Sequence, residues 1–152
     1  MTELFDDSEI AHWTPLVSPF DLAAARAYLA TARQARVDGL RIQLAITPDG
    51  RLPLGEVLII HRNADDRTAS LGYSVGAAHR GRRLGSRALT VMTEYPHHTM
   101  DLPRVTPSIE AENGARAAVA RAVGCRLTDE PPILTVDQGR SLALRTWAHD
   151  RP

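Results

Sequence analysis

The sequence predicts an α+β fold in which helices pack on one twisted, mostly antiparallel sheet. Residues 40–47 alternate between apolar and polar, as a half-buried strand does. Residues 22–32, 84–95 and 115–123 carry apolar residues at helical spacing. Helices and strands are interspersed without the regular alternation of a parallel α/β fold. A chain of 152 residues suffices for one core, so we expect residues 1–152 to form a single domain.

The first half of the chain predicts one helix and three strands. Ser18, Pro19 and Asp21 are typical of a helix start and Gly39 of a helix end, which predicts a helix over 19–38. Strands are predicted at 40–47, 57–60 and 69–75, with turns at 48–50 and 63–66. The continuous apolar run of the second strand indicates burial on both faces.

The second half predicts two helices and three strands. A helix begins at Leu84, and because Pro96 lacks a backbone N–H we expect a kink or an end near Tyr95. A second helix over 115–123 ends at Gly124. Strands are predicted at 104–110, 133–136 and 142–147, the last two joined by a hairpin turn over 137–140.

Composition excludes several classes of function. Basic and acidic residues are equal in number, 18 each, so no overall field attracts nucleic acid or an anionic membrane. The one cysteine, Cys125, excludes an intramolecular disulfide and a cysteine zinc site, and we interpret it as a core residue, not a nucleophile. His97 and His98 would point about 100° apart on a helix, which disfavours a metal site. With no apolar leader or spanning segment, we expect a soluble cytoplasmic protein without a metal.

The segment HRGRRLGSRAL, residues 79–89, predicts an anion site. A glycine-containing turn that leads into a helix presents several backbone N–H groups and the positive end of the helix dipole. Gly81 and Gly85 would allow close approach, and the neighbouring arginines would add charge, so a pyrophosphate fits. Neither standard nucleotide-binding motif is present, since the chain has no lysine and no G-x-G-x-x-G. The alternative interpretation is an ordinary solvated loop.

Five segments together resemble the GCN5-related N-acetyltransferases (GNAT), in particular the ribosomal-protein N-terminal acetyltransferases. They are LGEVLII, ASLGYSV, HRGRRLGSRAL, LPRVTPSIEAENGARAAVARAVGC and LALRTWAHD, and the resemblance covers nearly the whole chain. It implies acetyl-CoA as cosubstrate and a primary amine, such as a protein or peptide N-terminus, as acceptor. It also implies a sheet whose central strands splay apart to admit acetyl-CoA, which Pro107 inside a strand would suit.

The resemblance assigns candidate acetyl-CoA-binding residues. The family motif R/Q-x-x-G-x-G/A, whose amides hold the pyrophosphate, corresponds to a segment in which Arg83 replaces the middle glycine: Arg80, Gly81, Arg82, Arg83, Leu84, Gly85 and Ser86. A side chain at a position that needs positive φ costs on the order of 1 kcal/mol, although Arg83 could instead pair with a phosphate. The backbone of Tyr73, Ser74 and Val75 would pair with the pantetheine arm. Asn113 would contact acetyl-CoA or serve only as a helix N-cap.

The chain departs from the family at the residues that handle protons. The positions that often carry tyrosine, serine and a carboxylate hold Ala120, Arg116 and Ser70. The carboxylates best placed for acid–base catalysis are therefore Glu110, Glu112 and Glu56, whose alternative role is that of solvated surface acids. The same departure keeps two other functions open: a module that binds CoA without turnover, and a structural or partner-binding domain.

The beginning of the chain also departs from the family, because about one strand and most of a helix of the usual fold are missing before residue 6. The first family strand would then be absent and the strand over 40–47 would become a sheet edge. An exposed edge strand can pair with another chain, which predicts a homodimer or a start codon placed too late.

Overall fold

The computed structural model describes residues 1–61 and 67–152 of the chain. The turn expected at 63–66 lies outside the described residues. The helices are α1 (Thr2–Phe5), α2 (Ser8–Trp13), α3 (Leu22–Val37), α4 (Leu84–His98) and α5 (Gly114–Ala122). The strands are β1 (Arg41–Ile46), β2 (Gly55–Ile60), β3 (Thr68–Val75), β4 (Arg104–Val105), β5 (Ser108–Glu110), β6 (Arg126–Leu127), β7 (Ile133–Asp137) and β8 (Arg140–Asp150). This is the expected α+β architecture.

The strands form one sheet with the order β1-β2-β3-β4-β8-β5, and β6 and β7 also pair with β8. The pairing of β3 with β4 is parallel, and the other pairings in the described residues are antiparallel. Within residues 1–61 and 67–152, β1 is paired on one side only, by β2. It is therefore the edge strand that the sequence predicts.

Helix α3 begins three residues later than expected. Asp21, not Ser18, is its N-cap, and the Asp21 carboxylate accepts a 2.8 Å hydrogen bond from the Ala24 amide. The reason lies in the preceding residue. The Phe20 amide donates to Asp6 at 3.0 Å, and the Phe20 ring is buried edge-on against Phe5, so the chain before Asp21 is held against α1.

The segment predicted as one strand over 104–110 is two strands, β4 and β5. Val105 is in register with Ala69 of β3, and the Thr106 amide donates to the Ala69 carbonyl at 2.7 Å. Pro107 follows and has no N–H to continue the ladder. Beyond it, β5 pairs with β8 and not with β3, so β3 and β5 diverge. The expected splayed opening is confirmed.

Helix α4 packs on the sheet and forms the main core. Its buried Leu89 and Met92 contact Val57, Ile59 and other apolar residues of β2, β3 and β4. The helix continues through Pro96 to His98, so of the two outcomes expected near Tyr95 the early end is wrong and the kink stays a prediction. The proline lies in the last turn, where only one helical hydrogen bond is lost. The Pro96 carbonyl still accepts from the Leu102 amide at 3.0 Å.

The second strand of the chain is less buried than expected. One face of β2 is buried under α4, but Leu58 is only partly buried and Ile60 is exposed on the other. The hairpin over 137–140 is confirmed: Gln138 and Gly139 both have positive φ, 47° and 76°, as a tight hairpin turn requires.

Candidate active site

The turn between β3 and α4 presents a run of unpaired backbone donors. A short 3₁₀ turn at Ala77–His79 leads to Gly81, whose φ of 73° needs glycine, and then to Arg83, the N-cap of α4. In the described residues, no acceptor bonds the six amides of 81–86, and no side chain caps the helix. Free amides at a helix N-terminus attract anions, because the helix dipole adds to their partial charges.

Arg83, which replaces the middle glycine of the family motif, has a left-handed backbone with φ 58° and ψ 19°. The residue therefore stands at a position suited to glycine and is strained as arginine. Its side chain and that of Arg82 are exposed.

Arg80 does not have the free guanidinium that the sequence predicted for the anion site. Its guanidinium is bound to Glu9 and, at 3.0 Å, to Asp7, and its Nε donates to the Val75 carbonyl at 3.2 Å. Its amide donates to Ala77. The physical reason is proximity: α2 lies beside the turn and brings two carboxylates to the arginine. Arg80 thus holds α2 against the end of β3.

A cleft of about 420 Å³ adjoins the free amides. Its walls come from α2, the end of β3, the turn and the start of α5: Glu9, Ile10, Trp13, Thr14, Tyr73, Ser74, Val75, His79, Arg80, Gly81, Arg83, Leu84, Gly85, Ser86, Asn113, Ala115, Arg116 and Val119. Gly85 is buried, and a Cβ on it would lie 2.7 Å from the Tyr73 ring. Glycine is therefore required there for α4 to approach β3.

The backbone of β3 offers hydrogen-bonding groups to the same cleft at alternate residues. Gly76 donates to the Leu54 carbonyl of the β2 side, and Ser74 is in register with Glu56, so the even-numbered residues face β2. The backbone groups of Tyr73 and Val75 face the opening instead. Of the three residues assigned to the pantetheine arm, Ser74 therefore cannot contribute its backbone, which is used within the sheet.

Asn113 has the position that both of its interpretations need. Its Oδ1 accepts from the Arg116 amide at 3.0 Å, which makes it the N-cap of α5. It also lines the large cleft, and its Nδ2 has no protein acceptor in the described residues. The amide nitrogen is thus available to a ligand while the oxygen caps the helix.

A second cleft of about 170 Å³ lies on the α3 side of the sheet and shares Trp13, Thr14, Tyr73, Ser74 and Arg116 with the first. Glu56 lies in its wall and is 4% exposed. Tyr28 donates its hydroxyl to Glu56 Oε1 at 2.7 Å, and Gln43 donates to Oε2 at 2.6 Å. Burial raises the pKa of Glu56 above its usual value against the opposing effect of these hydrogen bonds.

The other carboxylates predicted from the sequence lie elsewhere. Glu110 is bound to Arg140 at 3.1 Å, and Glu112 is exposed. Neither lines the two clefts. The carboxylate that the structure brings next to the opening of the sheet is Glu56.

The partners of Glu56 were missed by reading the sequence. Tyr28 meets it only when α3 packs over the sheet, whereas Gln43 reaches it through the pairing of β1 with β2. Arg41 donates to the Tyr28 hydroxyl at 2.6 Å. Burial and the nearby Glu56 carboxylate raise the pKa of Tyr28, so its hydroxyl remains a donor. The available signal was the polar residues on one face of three neighbouring strands: Arg41, Gln43, Glu56, Ser70 and Ser74.

The remaining candidates have structural roles. Burial raises the pKa of the Cys125 thiol to about 11, so the residue stays a neutral core thiol. The ring of His97 is bonded to the Leu102 carbonyl at 2.8 Å and to His149 at 2.9 Å, and His98 is exposed. In the described part of the chain, no three candidate ligands cluster around a metal position. No helix there has the length and apolar character to span a bilayer.

Comparison with known proteins agrees with this geometry. A family model of the acetyltransferase (GNAT) domain matches residues 1–126. No curated protein sequence is close enough to this chain to count as a match.

Several solved structures share the fold. RimJ of Mycobacterium smegmatis, in complex with CoA-disulfide, is 20% identical with a TM-score of 0.81, over 98% of this chain and 74% of that one. The ribosomal-protein-S5-alanine acetyltransferase of Vibrio fischeri is 16% identical with a TM-score of 0.79, over 98% and 84%. Spermidine N-acetyltransferase of Vibrio cholerae, in complex with CoA and spermine, is 14% identical with a TM-score of 0.77, over 97% and 85%. Because the family model covers most of the chain, this protein belongs to the acetyltransferase (GNAT) family of acyltransferases.

Proposed function

We propose that this protein transfers the acetyl group of acetyl-CoA to a primary amine, and that residues 1–152 act as one acetyltransferase domain. The observation that carries the proposal is the run of six unpaired amides over 81–86 beside the opening between β3 and β5. An anion at these amides and an extended chain along β3 are what a diphosphate with a pantetheine tail provides.

The chain's own residues give each part of acetyl-CoA a partner. The diphosphate accepts from the amides of 81–86, with the exposed side chains of Arg82 and Arg83 close by. The pantetheine amides pair with the backbone groups of Tyr73 and with the Val75 N–H, since the Val75 carbonyl accepts from Arg80. The Asn113 amide nitrogen donates to the same ligand. Relatives of this fold were solved with CoA bound, which supports this assignment.

Glu56 is the residue we assign as general base. Burial raises its pKa, which makes the carboxylate a stronger base than that of an exposed glutamate. The amine nitrogen forms a bond to the acetyl carbon as the carbon–sulfur bond breaks. One amine proton passes to Glu56, and the CoA thiolate takes a proton from water. The Val75 N–H, which faces the opening, stabilises the charge on the carbonyl oxygen.

Replacement of Glu56 by glutamine tests this assignment. We expect kcat to fall by about 10²- to 10⁴-fold, as for the loss of a general base, while acetyl-CoA still raises the melting temperature. Glu112→Gln is the matched control, because Glu112 is exposed and outside both clefts. Glu110→Gln tests the other candidate from the sequence. A normal kcat for Glu56→Gln together with a lowered kcat for Glu110→Gln would transfer the role to Glu110.

A second candidate function is a module that binds CoA without turnover. The observation that favours it is that the usual proton-handling residues are replaced: Ala120 is buried in the core and Ser70 carries only a hydroxyl. Thiol release in proportion to added amine contradicts this alternative. A thermal shift with acetyl-CoA, but no thiol release across a broad set of amines, supports it.

A homodimer is a further part of the proposal. The unpaired side of β1 can extend the sheet into a second copy, and the exposed Leu44 on this strand adds apolar surface. Light scattering tests it: a dimer mass is expected, and a monomer mass at micromolar concentration contradicts it.

A further inference from the structure

The side chain of Arg116 lies in the opening of the sheet, where the two clefts meet. Arg116 is in the first turn of α5, and its guanidinium lies 5.7 Å from the centre of the Tyr73 ring. Its Nη2 is 3.7 Å from the point where a Cβ on Gly72 would be. A Cβ at position 72 would point to the same side of the sheet as the Ser74 side chain, so the guanidinium reaches the α3 side. Arg116 therefore lines both clefts.

The guanidinium of Arg116 lies over the Tyr73 ring, and the charge of Glu110 acts on it only at a distance. Within residues 1–61 and 67–152, no carboxylate forms a salt bridge with it. The two carboxylates considered as catalytic have other partners: Glu110 binds Arg140, and Glu56 accepts from Tyr28 and Gln43. Arginine stays protonated at physiological pH even when burial lowers its pKa, as it does here. Arg116 is thus a partly buried cation without a salt bridge in the described residues, and the carboxylate of a ligand would supply one.

Arg116 gives the smaller cleft a net positive charge. Its wall contains two arginines, Arg41 and Arg116, and one carboxylate, Glu56. The Nε of Arg41 is buried without a hydrogen-bond partner. Such a cleft repels an acceptor with several positive charges and attracts one that carries a negative charge beside its amine.

We propose that the acceptor is a small amine that carries a carboxylate, and that Arg116 binds this carboxylate while Glu56 faces the amine. This inference rests on the proposed acetyltransferase function and names its substrate class. Both side chains line a cleft of about 170 Å³, so the amine and the carboxylate are separated by only a few bonds. A guanidinium suits the carboxylate because its planar donors can form two parallel hydrogen bonds.

The test compares pairs of amines in which one member has a carboxylate and the other a neutral amide. Glycine is paired with glycinamide and β-alanine with β-alaninamide, and spermidine serves as a polycation. Initial rates of thiol release are measured at saturating acetyl-CoA and expressed per neutral amine. We expect kcat/KM to favour at least one carboxylate over its amide on the order of 10- to 100-fold, the effect of one charge-assisted hydrogen-bonded pair. Spermidine is expected to be the poorest acceptor.

The Arg116→Gln variant should remove this preference through KM for the amine and leave KM for acetyl-CoA unchanged, while Arg116→Lys should keep part of it. Arg121→Gln is the matched control, because Arg121 is on the same helix and also lies over an aromatic ring, that of Trp147, outside both clefts. If Arg116→Gln shows no thermal shift with acetyl-CoA, it no longer binds the cosubstrate. The test then rests on whether the wild-type protein prefers carboxylates to amides and whether Arg116→Lys keeps part of that preference.

Three results are informative. Turnover in which amides equal or exceed the carboxylates, or a preference that persists in a folded Arg116→Gln, overturns this inference alone. Thiol release with none of these amines, despite a thermal shift with acetyl-CoA, overturns this inference, and it overturns the proposed function as well only if peptide amines also release no thiol. A preference that Arg116→Gln abolishes and Arg121→Gln retains supports both.

Discussion

The left-handed backbone of Arg83 should lower the stability of the fold, and substitution of this residue tests that prediction. With φ 58° and ψ 19°, this residue is in the left-handed region, which costs a non-glycine residue about 1–2 kcal/mol. Arg83→Gly removes that cost but raises the entropy of the unfolded chain, a loss of about 0.5–1 kcal/mol. The difference predicts that Arg83→Gly stabilises the fold by about 0.5–1 kcal/mol. For a chain of this length the melting temperature should rise by about 1–4 °C.

Three further variants separate the backbone effect from the charge effect. Arg83→Ala removes the guanidinium but keeps the left-handed strain, so it should unfold at a lower temperature than Arg83→Gly. Arg82 is the neighbouring control, because it is exposed but does not have positive φ. Arg82→Gly should therefore destabilise the protein relative to Arg82→Ala. Thermal and urea unfolding, followed by circular dichroism without ligand, measure all four variants.

The reasoning is refuted if Arg83→Gly is no more stable than Arg83→Ala, or if glycine has the same effect at both positions. Calorimetric titration of the same variants with acetyl-CoA then reports the role of the side chain. Weaker binding by both Arg83 variants would show that the guanidinium pairs with a phosphate. Unchanged or tighter binding would show that it only crowds the amides.

Two other predictions concern packing and pH. Gly85→Ala places a Cβ 2.7 Å from the Tyr73 ring and should lower the free energy of unfolding by about 1–3 kcal/mol. Gly114→Ala is the control, because a Cβ there meets open space and should cost nothing. Equal urea unfolding curves for the two variants contradict the packing argument. Burial and the adjacent His97 lower the pKa of His149, so the folded protein binds this proton less tightly than the unfolded chain. The contribution of neutral His149 to the free energy of unfolding should be fully present above about pH 6.5 and be lost as the pH falls below it. His149→Phe should therefore weaken the pH dependence of stability, measured by urea unfolding at about pH 8 and 5.5. Equal pH dependence in the two proteins contradicts the assignment.

Local patterns predicted what depends on residues close in the chain. The hairpin turn over 137–140, the helix end at Gly39 and the N-cap at Asn113 all follow from short-range conformational and hydrogen-bonding preferences. The start of α3 was wrong because a contact distant in sequence, between Phe20 and Asp6, competes with the local cap signal of Ser18. The end of α4 was wrong because a proline in a last turn loses only one hydrogen bond.

Choosing among the carboxylates required the packed structure. Glu56 lies near the beginning of β2 and Glu110 at the end of β5. The residues next to them in the sequence do not distinguish a catalytic carboxylate from a solvated one. Packing of α3 over β2 buries Glu56 beneath Tyr28, whereas the β7–β8 hairpin brings Arg140 to Glu110. The environment that changes a pKa comes from distant segments, so no pattern within one segment reports it.

The sequence alone determined the order of the longer helices and strands, the glycine-containing turn after β3 and the proline at position 107, because these depend on backbone preferences of neighbouring residues. The short elements α1, α2 and β6 were not predicted. Only the tertiary structure decided that the guanidinium of Arg80 binds α2 and that the guanidinium of Arg116 lies over Tyr73 in the opening of the sheet. Ion pairs and clefts depend on which distant segments meet, and a charged side chain acquires its function from the groups that surround it after folding.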